Sequence, residues 1–300
     1  APPDGLKFRI LSSAPKEKLA KGIRTAIYEM LSSGITTFVD FREGGVEGVR
    51  LLRRVVEEIG INAVIMGRPD SSRLEDVLAI ADGIGLSSIN RYRDEVLIGI
   101  HKVVKSSSKL VAYHASETRA QREKSIRMYG ISDIARGVKI LDPDFIVHVT
   151  YADRGDLELL ARLGKVVVLC PRANGYFGLG PPPVKLVVDL GVKFCIGTDN
   201  VMINSPNMFR EFDFLVRIAR IQGIILDPKC LLESVTILPA EILGLRAGAI
   251  DTGLYADFFV FDLTRPNVAY VDDILKAIVL RGSERNVVCT YVRGKKLYEG

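Results

Sequence analysis

The chain has 300 residues, 48% hydrophobic and 26% charged, with a formal net charge of +5. This is enough for one large barrel, or a barrel with a small appendage, and the mild charge, with no basic stripe interleaved with aromatics, argues against a nucleic-acid partner. No apolar run reaches the roughly 20 residues that cross a bilayer, residues 1–5 lack the features of a signal peptide, and the unpaired spacing of Cys170, Cys195, Cys230 and Cys289 suits free thiols in a reducing cytoplasm.

In chain order, short apolar runs alternate with amphipathic stretches. The runs span 35–41, 62–67, 83–86, 110–114, 145–149, 166–170 and 192–197. Most are continuous and rich in Val and Ile, as strands buried on both faces are. Helical patterns lie between them, at 16–32, 45–58, 91–105 and 153–163. Repeated strand-helix units build a parallel sheet, and no Gly-rich phosphate fingerprint marks a dinucleotide site. A parallel α/β barrel is therefore expected. Such a barrel needs eight strands, and seven are legible. Because the first clear element is a helix, strand one is expected upstream of Ala1. After Pro239 the pattern changes: a helix ends over 241–245, then 248–263 and 287–298 read as strands, with a helix near 271–280. This divides the chain into a barrel over 1–245 and a small β-rich appendage over 246–300.

Three histidines occur, and two close predicted strands: His114 ends Leu-Val-Ala-Tyr-His and His148 ends Phe-Ile-Val-His. Asp199 follows Phe-Cys-Ile-Gly-Thr in the equivalent place on the last barrel strand. Barrels of this class build their active sites from strand C-termini. Alternation along a strand puts Ala112 on the inner face with His114 and turns Tyr113 toward the helices; Cys195 and Gly197 share the inner face with Asp199. Imidazole and carboxylate are donors that zinc or iron accepts. Singly, each has a plain structural explanation, a hydrogen-bonded strand-end His or an Asp that caps a turn; three coincident strand ends are harder to explain so. His101 sits mid-helix and is assigned to structure. Glu117 comes three residues after His114, so on a continuing strand it would face away. It reaches the same place only if the chain turns near Ala115 and Ser116, and there it could carry protons between water and a leaving amine.

With these residues in hand, the chain resembles the amidohydrolase superfamily, in particular its cytosine deaminase and S-adenosylhomocysteine deaminase-like branch. The carriers are His114-Ala-Ser-Glu117, His148, Cys170-Pro-Arg172-Ala-Asn174, Gly197-Thr-Asp199-Asn200 and the segment from Gly248 through Gly253, Ala256 and Asp257 to Asp262. The resemblance implies a TIM-type (β/α)8 barrel with a small C-terminal β-sandwich appendage. It implies one divalent metal ion, zinc before iron, with His114, Asp199 and His148 as ligands. Asp199 would also take a proton from the attacking water, Glu117 would shuttle protons, His148 would polarise the substrate, and Asn174 with Arg172 would line the pocket. The family's His-x-His at the end of strand one has no counterpart in this chain. Strand four, over 82–86, has no Lys to bridge two metals, which favours the single-metal branch. The expected reaction is deamination of a nucleobase-like or other heterocyclic amine by a metal-bound hydroxide. Two alternatives stand beside it: hydrolysis of a cyclic amide or imidazolone, and a catalytically silent scaffold. The partner is a small molecule, without nucleic acid or membrane; a large apolar surface or an incomplete sandwich would favour a homodimer.

Overall fold

The computed structural model describes residues 9–10, 13–70 and 72–300; residues 1–5, read above for a signal peptide, lie outside them. Helix α1 (Lys16–Ser32) leads into β1 (Thr37–Arg42), α2 (Gly45–Ile59), β2 (Asn62–Gly67), α3 (Leu74–Leu78) and β3 (Gly83–Leu86). Then come α4 (Asp94–Ser106), β4 (Leu110–Ala115), α5 (Arg119–Tyr129), α6 (Asp133–Leu141), β5 (Phe145–His148), α7 (Arg154–Arg162) and β6 (Val166–Leu169). Helices α8 (Pro171–Tyr176) and α9 (Val184–Asp189) precede β7 (Phe194–Ile196), which is followed by α10 (Met208–Ile221), α11 (Pro228–Glu233) and α12 (Ile237–Ile242). The alternation expected from the apolar runs is therefore present.

The seven strands form one sheet in the order β1-β2-β3-β4-β5-β6-β7, and every neighbouring pair is parallel. The sheet curls. On a flat sheet β1 and β5 would stand about 19 Å apart, four strand spacings, yet the rings of Phe41 and Phe145 lie 6.1 Å apart. The curl makes two apolar layers. Outside, between strands and helices, lie Ile65, Ile84, Val111, Ile146 and Val167, packed against Val49, Leu52, Leu97, Ile134, Leu157 and Leu215. Inside, Val64, Met66, Ala112, Phe145, Val147 and Cys170 face one another. Each fully buried Val, Leu or Ile stabilises by about 1.5–3 kcal/mol. Tyr113 goes to the outer layer, as alternation requires: it is fully buried and its hydroxyl donates to the Ile134 carbonyl at 3.0 Å. Helix α6 comes this close because residue 137 is glycine; a Cβ there would stand 2.3 Å from the Tyr113 ring.

The remainder is one three-stranded antiparallel sheet, β10-β9-β8, with β8 at Phe258–Phe261, α13 at Ile274–Arg281, β9 at Val287–Val292 and β10 at Lys295–Glu299. The strand expected over 248–263 is thus much shorter. Gly248 and Gly253 adopt positive φ of 93° and 89°, and the Arg246 guanidinium closes on the Gly253 carbonyl, so this stretch coils before it extends. The small sheet is tied to the rest of the fold. The Thr290 hydroxyl donates to the Leu31 carbonyl at 2.7 Å. Asn62, the first residue of β2, donates to Asp257 at 2.8 Å and accepts from Arg293 at 2.8 Å. Phe209 of α10 packs against Phe259 and Phe261. No helix among the described residues is long and apolar enough to cross a membrane.

Candidate active site

The C-terminal ends of the strands share an uncommon backbone feature. Ser116, His148, Val149 and Asp199 all have positive φ, at 45°, 78°, 49° and 56°. For residues other than glycine this costs on the order of 1–3 kcal/mol each, and such strain gathers where function needs a side chain re-aimed. Here it does that. Strand β4 stops at Ala115, the chain turns through Ser116, and Glu117 returns to the side of His114, as the sequence spacing required. The Glu117 carboxylate lies 3.9 Å from His148 Nε2. The His114 and His148 rings stand 5.1 Å apart, with Phe41 edge-on to His114 at 4.7 Å.

His148 is 1% exposed and its Nδ1 has no hydrogen-bond partner. Asn174, fully buried on α8, donates to the Thr150 hydroxyl at 2.8 Å, while its Oδ1 is likewise without a partner. Such unmatched buried polar atoms cost about 1–3 kcal/mol each and are explained where a ligand completes them. Asp199, Glu211 and Glu117 all act on the Cys170 thiol: burial pushes it well above its usual value, and these carboxylates push it further.

Arg172 is bonded within the protein. Its guanidinium donates to Glu211 at 3.2 Å and to the Ser205 carbonyl at 3.2 Å, and its backbone N–H also donates to Glu211. Its visible work is to hold a fully buried carboxylate and the loop after β7. Burial pushes the Glu211 carboxyl from 4.5 up to about 7, against the pull of Arg172. A carboxyl with a raised folded-state pKa contributes stability that is full below about 4.5 and lost as pH rises through about 7, on the order of 3 kcal/mol in all. Stability measured by denaturant should therefore fall across that window, and Glu211→Gln should flatten the fall. Equal slopes in both proteins would rule Glu211 out as its source.

The donors suit a divalent ion. His114 Nδ1 lies 3.2 Å from the Leu86 carbonyl, a contact that fixes an Nδ1–H tautomer and makes Nε2 the basic nitrogen, the usual arrangement of a ligand histidine. His148 adds a second imidazole and Asp199 a carboxylate. Among the described residues, however, no three His, Cys, Asp or Glu side chains gather closely enough to hold a metal on their own. His101, assigned to structure, bonds the Leu141 carbonyl at 2.9 Å. The sequence reading passed over Glu211, Asp133 and Gln121. Glu211 had a signal: it sits on the buried stripe of α10 with Phe212, Leu215 and Ile218, where a carboxylate needs a partner.

The chain matches the amidohydrolase family over residues 5–297. It is 37% identical over 300 residues to an uncharacterized protein of Methanocaldococcus jannaschii, covering 96% of this chain and 77% of that one. It is 26% identical over 304 residues to the 5-methylthioadenosine/S-adenosylhomocysteine deaminase of Thermococcus kodakarensis, covering 94% and 72%. In fold it is similar to a zinc-bound adenosine deaminase from Xanthomonas campestris, with a TM-score of 0.85 at 22% identity, over 96% of this chain and 71% of that one. The chain belongs to the amidohydrolase family and is a hydrolase acting on carbon–nitrogen bonds.

Proposed function

We propose that this enzyme deaminates a heterocyclic amine of the nucleobase type, an aminopurine first. The observation that carries this is the approach of Glu117 to His148 beside His114: an acid-base carboxylate against a buried imidazole at the strand ends. The exposed apolar side chains of Tyr176 and Phe177 at the end of α8, and of Val201 and Met202 on the loop after β7, suit a flat, weakly polar ring. The deaminase named among the relatives supports the same choice.

His114, His148 and Asp199 would be among the ligands of one divalent ion, zinc before iron. When bound, such an ion lowers the pKa of water from 15.7 toward about 7 and so supplies a nucleophile at neutral pH. The chain's own groups do the rest. Asp199 accepts a proton from water as its oxygen bonds to the ring carbon. His148, hidden from solvent, stabilises the charge that develops there. Glu117 carries the proton to the exocyclic nitrogen, the carbon–nitrogen bond breaks, and ammonia leaves. Asn174 and Arg172 shape the pocket, Arg172 by way of Glu211. In this reading residues 1–245 form the barrel and residues 246–300 form a sandwich-type appendage. The free thiols of Cys170, Cys195, Cys230 and Cys289 support a reducing cytoplasm as the enzyme's place of work.

A panel of aminopurines, aminopyrimidines and cyclic amides, assayed with zinc-replete enzyme for ammonia release and ring opening, tests the reading. Ammonia from an aminopurine is the expected result. Ring opening without ammonia would shift the assignment to a cyclic amide or imidazolone, and inertness toward all three classes would favour a scaffold.

A further inference from the structure

We infer that Asp133 and Gln121 are positioning residues: together they lock the turn between His114 and Glu117, so that the Glu117 carboxylate stands where proton transfer needs it. This rests on the proposed role of Glu117. The turn is not self-sustaining. Ser116 is fully buried with a φ of 45°, a conformation L side chains rarely adopt, so its surroundings must impose it.

Asp133 does so from one side. It is fully buried, and both its oxygens are turned onto Ser116: the Ser116 N–H donates to Oδ2 at 2.7 Å and the hydroxyl to Oδ1 at 2.5 Å. Asp133 begins α6, but that helix already has a cap, since the Ser132 hydroxyl accepts from the Ala135 N–H at 3.0 Å. Gln121 acts from the other side. Its Oε1 accepts from the Glu117 N–H at 3.1 Å, and its Nε2 donates to the His114 carbonyl at 3.3 Å and the Ser88 hydroxyl at 3.0 Å. In a capping box, Gln121 would accept from the N-cap residue, Thr118; it reaches one residue further back, to Glu117 itself.

The locked turn is also joined to the neighbouring strand end. The Tyr151 N–H donates to the Ser116 carbonyl at 2.9 Å and the Val149 N–H to the Ala115 carbonyl at 3.1 Å. The backbone that carries Glu117 and the backbone that carries His148 are thus one hydrogen-bonded unit, across which their side chains meet.

The test is steady-state kinetics of the zinc-loaded enzyme on the substrate found by the panel. Gln121→Met removes the bridge at near-constant volume, Ser116→Ala removes one bond to Asp133, and Asp133→Asn weakens the grip at its source. Each should lower kcat about 10- to 100-fold with metal content unchanged, since misplacing a reacting group by about an ångström has that effect. KM should stay within about twofold, and in a Glu117→Gln background the same changes should cost less than about twofold. A purely structural role would give equal losses in both backgrounds and overturn the inference. Should Asp133→Asn fail to fold, the other two variants carry the test. If Glu117→Gln itself turns over normally, the role of Glu117 and this inference fall together. If Glu117→Gln is crippled but Ser116→Ala and Gln121→Met are normal, the inference alone falls.

Discussion

Glu117→Gln is expected to lower turnover by at least about 100-fold, within the range that general acid-base groups supply, while the metal content of the enzyme stays at its wild-type value. The substitution keeps the shape and removes only the ability to take up and release a proton. Glu117 faces His148 Nε2 at 3.9 Å and is not among the residues proposed to hold the ion, so chemistry and metal binding should separate. Elemental analysis beside a single-turnover assay checks both. Near-normal turnover would remove Glu117 from the mechanism, and loss of metal would turn it into a ligand.

The second large effect is expected at the ligand positions themselves. Wild-type enzyme dialysed against zinc should hold about one ion per chain, and a chelator should silence it until zinc is restored. His114→Ala and Asp199→Ala should lose the ion and the turnover together. Even groups that only orient a ligand change affinity by about 10- to 100-fold, so loss of a ligand should exceed that. A variant that keeps its metal would cost that residue its assignment. A wild-type protein that takes up no ion under replete conditions would make the scaffold the better reading.

Much of the architecture was legible because its causes are local. Continuous Val and Ile runs gave the seven strands, and β2 and β3 begin and end where the apolar runs do. Boundaries slipped where the backbone leaves extended geometry for a reason the pattern does not carry: the run over 145–149 stops at His148, because His148 and Val149 turn left-handed. The strand expected over 248–263 failed for a related reason, two glycines and an arginine that coil its first half. The strand-end places of His114, His148 and Asp199 were legible because strand ends can be read along the chain. Asp133 and Gln121 were not, since they lie on helices and meet the turn only through the tertiary fold. The Arg172–Glu211 pair was not legible either, because its partners lie 39 residues apart and meet only in the fold.

The bonds that join the small sheet to the rest of the fold also bear on how the protein is made. Thr290 closes on Leu31 across 259 residues of sequence, and Arg293 on Asn62 across 231. A chain leaving the ribosome exposes α1 and the start of β2 long before their partners exist, and contacts so distant in sequence form slowly. Early elements of such a chain wait with apolar surface uncovered, which is when aggregation competes with folding. The curled seven-stranded sheet can collapse onto its own helices during that wait, but its early elements gain these bonds only when the β9–β10 hairpin arrives.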